Sequence, residues 1–357
     1  MVILHIAAIS NGSLAGVDVA VPQHVNAQSK NEKVALINIT NARIDGIEQQ
    51  FEYGAAFDIS KLPEPFCKPD LVVFHNTYYV EFLKIAGHLT RKKIPYIIVP
   101  HGTLSFVAQS KKKLKKTVAN FLFFNKFFRN AQAIQFLSEN EMKNSKFNEK
   151  GFIGTNGVDV PEVRAARGNK NDIRMVYIGR PEVYIKGIDM MIEAVGKSRE
   201  MFADKHARLD LYGPNNNGEY KVVESLISKF DVNDLITLNE AVVGKEKREI
   251  LLGADIFIQT SRSEGMPMSI IEAWSYGIPC IVTEGTSLGG VIEKNNAGWV
   301  AQTNTDSIAE TIKKALSEKN LWTEKSKNAI ELIEENYAWD KVAYETILKY
   351  KEIVRKI

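Results

Sequence analysis

Glu264 and Glu272 stand with seven residues between them in SEGMPMSIIEAWSYGIP at 263–279. A carboxylate accepts paired hydrogen bonds from vicinal hydroxyls, so two at this spacing suit a sugar or a ribose. Gly265 permits a tight turn, Pro267 suits the first position of a helix, and Met268 to Tyr276 has helical character before Gly277 ends it. Backbone N–H groups at such a helix start favour an anion, which points to a diphosphate against residues 265–268. A second group, IGRPEVYIKGID at 178–189, carries Arg180 and Lys186 between Gly179 and Gly187. A guanidinium fork and an ammonium point charge together neutralise a diphosphate as it leaves. Taken alone, Glu264 reads more readily as a complement to the helix dipole, Glu272 as a solvated helix face, and either cation as an ordinary surface residue. His101 and Gly102 follow the strand-like YIIVP at 96–100, where an imidazole can meet a sugar hydroxyl or an acceptor. In the loop SNGSLAGVD at 10–18, Gly12 and Gly16 are four apart and do not form the dinucleotide fingerprint.

The elements that must position these residues alternate between strand and helix. Short apolar runs at 2–8, 33–39, 70–75, 96–100 and 133–138 are each followed by a turn and a mixed segment. The pattern restarts with runs at 174–179, 209–213, 235–238, 255–260 and 279–283. Near-continuous apolar strands imply sheets covered on both faces, hence two parallel, doubly wound α/β domains. PEVRAARGNKND at 161–172 lacks apolar periodicity and reads as the linker. The expected division is 1–160, 173–336, and a last helical segment at 337–357. In such sheets ligands bind at the carboxyl ends of the strands, which places the chemistry in a cleft between facing domains.

Composition removes several alternatives. The chain of 357 residues is 45% hydrophobic and 25% charged, a globular balance with room for two cores. Cys67 and Cys280 make neither a disulfide framework nor a zinc site, and the apolar N-terminus reads as a first strand rather than an export signal, which fits a cytoplasmic protein. No run is long enough to span a bilayer. Residues 82–138 hold eleven Lys/Arg and no acid. Nucleic acid is not expected there, because the aromatics gather in FLFFNKFF at 121–128 instead of alternating with the cations. KKKLKK at 111–116 with this apolar neighbour is read as a peripheral contact with an anionic membrane, through 111–128.

Taken in order, PHG at 100–102, NGVD at 156–159, the GR and KG of 179–187, YGP at 212–214 and the paired glutamates of 264–272 resemble the retaining glycosyltransferases of family 4. These are group 1 enzymes of GT-B fold, and the resemblance runs over nearly the whole chain. It implies two Rossmann-like domains facing across a cleft, with the last helix crossing back to the first domain. It implies that Arg180 and Lys186 bind the donor diphosphate, Glu264 the transferred sugar and Glu272 the ribose. Gly179 and the backbone amides around Gly265, Met266, Pro267 and Met268 would face sugar and phosphates, with His101 near the sugar and Gly16 near the phosphate. It further implies a UDP- or GDP-linked sugar as substrate, no cofactor and no metal; the basic stretch beside FLFFNKFF adds the expectation of a lipid-linked saccharide acceptor, in bacterial cell-surface polysaccharide assembly. Glu240 stands where the family often has glycine. The alternatives are a non-catalytic nucleotide-sugar-binding or scaffold protein of the same fold, and a GT-B phosphorylase or epimerase.

Overall fold

A computed structural model of the chain describes residues 1–10, 16–54, 57–106, 109, 123–165, 172–215 and 218–356. Contacts divide it into a first unit, Met1–Gly157 with Tyr337–Ile357, and a second unit, Val158–Asn336. The division falls just after Gly157, ahead of the 161–172 linker read from the sequence. Part of that linker, 166–171, lies outside the described residues.

The first unit is built on seven strands: β1 Val2–Ala7, β2 Lys33–Asn38, β3 Gln50–Glu52, β4 Leu71–His75, β5 Tyr96–Val99, β6 Ala133–Phe136 and β7 Gly151–Ile153. They lie in the order β3-β2-β1-β4-β5-β6-β7, every pair parallel. All five residues of β4 are buried, as expected of a strand covered on both faces. The final helix, Trp339–Arg355, packs Trp339, Val342 and Ala343 against Ala27 of the helix Gly16–Ser29. Gly157 makes room for it, since a Cβ there would stand 2.6 Å from the Trp339 ring.

The second unit holds β8 Ile173–Ile178, β9 Ala207–Tyr212, β10 Ile236–Asn239, β11 Ile256–Gln259, β12 Cys280–Thr283 and β13 Gly298–Ala301. Their order is β10-β9-β8-β11-β12-β13, again all parallel. Strand succession reverses direction on either side of β8. The loops leaving β8 and β11 therefore emerge side by side at the carboxyl edge, where open α/β sheets take their ligands.

One sequence expectation changes here. Of the apolar stretch read as membrane-facing, Phe124, Phe127 and Phe128 are buried in the core of the first unit around Phe74, Tyr78 and Tyr96. Burying a phenylalanine contributes about 1.5–3 kcal/mol, and that gain fixes the direction of these rings. Phe123 remains exposed, while the lysine run and the rest of the stretch, 111–122, lie outside the described residues. Among the described residues no helix is long and apolar enough to cross a membrane.

Candidate functional site

The β8 loop and the β11 loop meet in one ion pair. Lys186 Nζ binds Glu264 Oε1, with side chains only 16% and 13% exposed. The same carboxylate oxygen accepts from Gln259 Nε2 at 2.8 Å and Ser261 Oγ at 2.9 Å. Gln259 ends β11 fully enclosed, and its Oε1 accepts from Ser269 Oγ at 2.6 Å. Glu264 is thus held by three donors on Oε1, while Oε2 accepts no hydrogen bond among the described residues. An anchored carboxylate with one oxygen open is suited to a ligand hydroxyl.

The two loops are locked together around this pair. Arg262 takes Asp189 in a fork, at 2.7 and 2.8 Å, and lies 4.4 Å from the ring of Tyr184. Gly187, at φ 63°, caps the helix Ile188–Lys197 where the backbone of Thr260 passes. A Cβ on Gly187 would stand 2.0 Å from the Thr260 carbonyl oxygen. Gly187→Ala combines that clash with a left-handed backbone, so it is expected to lower stability by roughly 2 kcal/mol or more. Denaturant unfolding checks it, and a wild-type midpoint would contradict the close approach.

The other expected site residues are distributed more widely. Arg180 pairs with Glu182 at 2.6 Å and is 53% exposed, so it does not share the Lys186–Glu264 contact. Its carbonyl accepts from Tyr177 Oη at 2.8 Å, and a Cβ on Gly179 would stand 2.9 Å from that hydroxyl. Glu272, in the helix Met268–Ser275, binds Lys247 of the helix Gly244–Gly253. Pro267 is the buried residue before that helix, not its first residue. It has no N–H, so amides for an anion come only from its neighbours Gly265, Met266 and Met268. Gly265 is fixed through its carbonyl, which accepts from Ser287 Oγ at 2.5 Å. Gly16 opens the helix Gly16–Ser29 and is exposed, rather than lying in a loop; the residues before it, 11–15, are outside the described ones. Gln259, Ser261, Lys247 and the Arg262–Asp189 fork escaped the sequence reading. A buried glutamine at the end of the apolar run DIFIQ was the one available signal, since such a group needs a partner.

A separate cavity of about 490 Å³ is lined by Asn239, Glu240, Tyr212 and Arg174, and by neither Lys186 nor Glu264. Arg174 is held there by Asp210 and by the Tyr212 hydroxyl, both at 2.7 Å. Among the described residues no group of three or more His, Cys, Asp or Glu is placed to hold a metal ion.

His101 belongs to the first unit, in a turn after β5 at φ 49°. Its Nε2 lies 3.0 Å from His75 Nδ1, and His75 Nε2 lies 2.8 Å from His5 Nδ1. Burial first, then the neighbouring histidine His24, pushes His5 and His101 down to about 3, and burial pushes His24 to about 4. Burial likewise holds His75 well below the ordinary range. The unfolded chain takes up these protons near pH 6.5 and the fold only near pH 3 to 4. Between those values the unfolded state binds more protons, so stability falls as pH falls. The denaturant midpoint of the first unit is expected to drop markedly from pH 7 to pH 5; an unchanged midpoint would contradict neutral buried rings.

Residues 159–332 match the family described as Glycosyl transferases group 1. Over that span, just under half of the chain, the sequence is similar to the group 1 glycosyltransferases. The group 1 span coincides with the second unit, which carries the Lys186–Glu264 pair. An uncharacterized glycosyltransferase of Methanocaldococcus jannaschii is 30% identical over 193 residues, 53% of this chain and 47% of the relative. The chain spans about half the length, or less, of the curated relatives it matches. Among solved structures, a glycosyltransferase from Rickettsia africae superposes with TM-score 0.76 at 15% identity, covering 100% of this chain and 99% of that one. Anabaena HepE, solved with UDP and glucose, gives TM-score 0.74 at 14% identity over 99% and 100% of the two chains. The shared fold is GT-B: two Rossmann-like units on parallel sheets.

Proposed function

We propose that this chain transfers a sugar from a nucleoside diphosphate sugar to a hydroxyl acceptor with retention of anomeric configuration. The observation that carries this reading is the Lys186–Glu264 pair at the strand-order reversal, with Glu264 Oε2 open. Lys186 and Arg180 bind the diphosphate, Glu264 the transferred sugar and Glu272 the ribose, while His101 contacts a sugar hydroxyl. Glu264 pairs with Lys186 and Glu272 with Lys247. Donor binding redirects Lys186 toward phosphate, and the cation thereby opposes the charge that grows as the sugar–phosphate bond breaks.

In the step itself the bond from the anomeric carbon to the phosphate oxygen breaks and a bond to the acceptor oxygen forms on the same face. The acceptor's proton passes to the leaving phosphate. The protein positions and neutralises, with Lys186 and Arg180 doing what a metal does in other transferases. The acceptor is a lipid-linked saccharide of bacterial cell-surface polysaccharide assembly, reached at the inner face of the membrane. HepE was solved with UDP, which makes UDP-sugars the first donors to try, followed by GDP-sugars.

Mass spectrometry of products from a panel of nucleotide sugars, with lipid-linked and free saccharide acceptors and with chelator present, tests the proposal. It predicts an acceptor heavier by one sugar residue and a free nucleoside diphosphate. Sugar phosphate released from a glycan and inorganic phosphate would indicate a phosphorylase instead, and binding without turnover of any donor would indicate a non-catalytic protein.

A further inference from the structure

His101 and Gly102 carry the chain around the turn after β5 with two successive left-handed residues, at φ 49° and 83°. Glycine adopts that conformation freely, but a histidine keeps it only where its surroundings hold it. The turn presents the His101 ring, which is half-buried with Nε2 3.0 Å from His75 Nδ1. One hold comes from within the turn, where Thr103 N–H and the Thr103 hydroxyl donate to the Pro100 carbonyl at 3.1 and 2.6 Å. The other comes from a different part of the chain, the segment after β6.

There Ser138 caps the short helix Glu139–Lys143, its hydroxyl accepting from Glu141 N–H at 3.1 Å. Ser138 and Glu141 have the spacing of a capping box, in which the glutamate's carboxylate returns to the N–H of the capping residue. Here the carboxylate reaches further. Its Oε2 accepts from Leu137 N–H at 2.7 Å and its Oε1 from Gly102 N–H at 2.5 Å. Glu141 is only 3% exposed, and among the described residues no cation pairs with it. Burial pushes its carboxyl up, and the N–H groups of Leu137 and Gly102 oppose that shift. Enclosing a carboxylate without a counter-ion is costly, so the two amides it joins are what it serves. The same two segments meet again alongside: Phe106 N–H donates to the Asn144 carbonyl at 2.8 Å, and Lys146 N–H to that of Leu104 at 3.2 Å.

We propose that Glu141 is the positioning residue of His101: by joining Gly102 N–H to Leu137 N–H it fixes the turn that aims the imidazole. The hold on the turn stands on the first unit alone; its bearing on transfer rests on the reading of His101 as a sugar contact.

Amide hydrogen exchange of the full chain, resolved by NMR, tests the hold directly. Glu141→Met removes both acceptors at nearly unchanged side-chain length. Gly102 N–H is then expected to exchange about tenfold faster or more, the effect of losing a hydrogen bond to a charge. Glu141→Gln decides the matter where the methionine variant does not fold. It keeps one accepting oxygen and turns its own N–H toward the other amide, so exchange should rise at Gly102 or at Leu137. Wild-type exchange at Gly102 in Glu141→Met, or at both amides in Glu141→Gln, would overturn the proposal.

A double-mutant cycle with His101→Ala tests the path to transfer, using the nucleotide sugar identified by product analysis. The variant that frees Gly102 should lower kcat about ten- to a hundredfold, and should cost nothing further in the His101→Ala background. An equal loss in both backgrounds would mean that Glu141 supports the fold without acting through His101, and would overturn its positioning role. Full turnover in His101→Ala would overturn the aiming role by removing His101 from the sugar site, while faster Gly102 exchange would still show Glu141 holding the turn.

Discussion

Lys186→Ala is expected to lower kcat for sugar transfer by roughly a hundred- to a thousandfold while the chain stays folded. Lys186 is drawn inside the site, in contact with Glu264, whereas Arg180 sits half exposed beside Glu182. A charge that develops on a leaving diphosphate is best opposed by a cation already held in place, because no reorganisation is then needed during the reaction. The fold should tolerate the loss, since Glu264 keeps Gln259 and Ser261 as donors and is not left as an unpaired buried carboxylate. Lys186→Arg is not a neutral exchange: a planar fork replaces a point charge in a loop closed by Gly187. Steady-state kinetics with the donor identified by product analysis checks this, alongside an unfolding curve close to the wild type.

Glu264→Gln should reduce kcat/KM for the donor by about ten- to a hundredfold, corresponding to the loss of a charged hydrogen-bond acceptor worth about 1.5–3 kcal/mol. The amide keeps the size of the side chain and still offers one oxygen to Ser261 or Gln259. It lacks the charge that retains Lys186 and replaces one of the two accepting oxygens with a donor. Glu264→Ala goes further, leaving the enclosed Gln259 amide with only Ser261 Oγ at 3.2 Å as acceptor, and should cost about 0.5–1.5 kcal/mol of stability as well. The two variants therefore separate the role in transfer from the role in holding the loop. Equal donor kinetics in Glu264→Gln and the wild type would remove this residue from the sugar contact.

Much of the fold was legible because strands buried on both faces are written as apolar runs, as in LVVFH and IFIQ. The short strands β3, β7 and β13 were not, since QFE, GFI and GWVA offer too few residues for any period to show. Phe124, Phe127 and Phe128 misled because they follow a lysine run, while their direction is decided by distant partners such as Phe74. Lys186 and Glu264 could be picked out from their places after strands. Their mutual contact could not, because it depends on β8 and β11 being neighbours, a matter of strand order. Lys247 escaped for the same reason: nothing local ties it to a glutamate on another helix. The absence of an N–H on Pro267 was readable from its type alone. His5 and His75 were concealed inside strand runs, where a single polar letter gives no sign that it belongs to a row ending at His101.

The central claim is that Lys186 meets phosphate and Glu264 meets sugar on one donor. Calorimetric titration of the wild type, Lys186→Ala and Glu264→Ala with a nucleoside diphosphate and with its sugar conjugate separates the two contacts. The account predicts that Lys186→Ala weakens binding of both ligands, while Glu264→Ala weakens only the sugar conjugate. A nucleoside diphosphate bound by Lys186→Ala as tightly as by the wild type would contradict it.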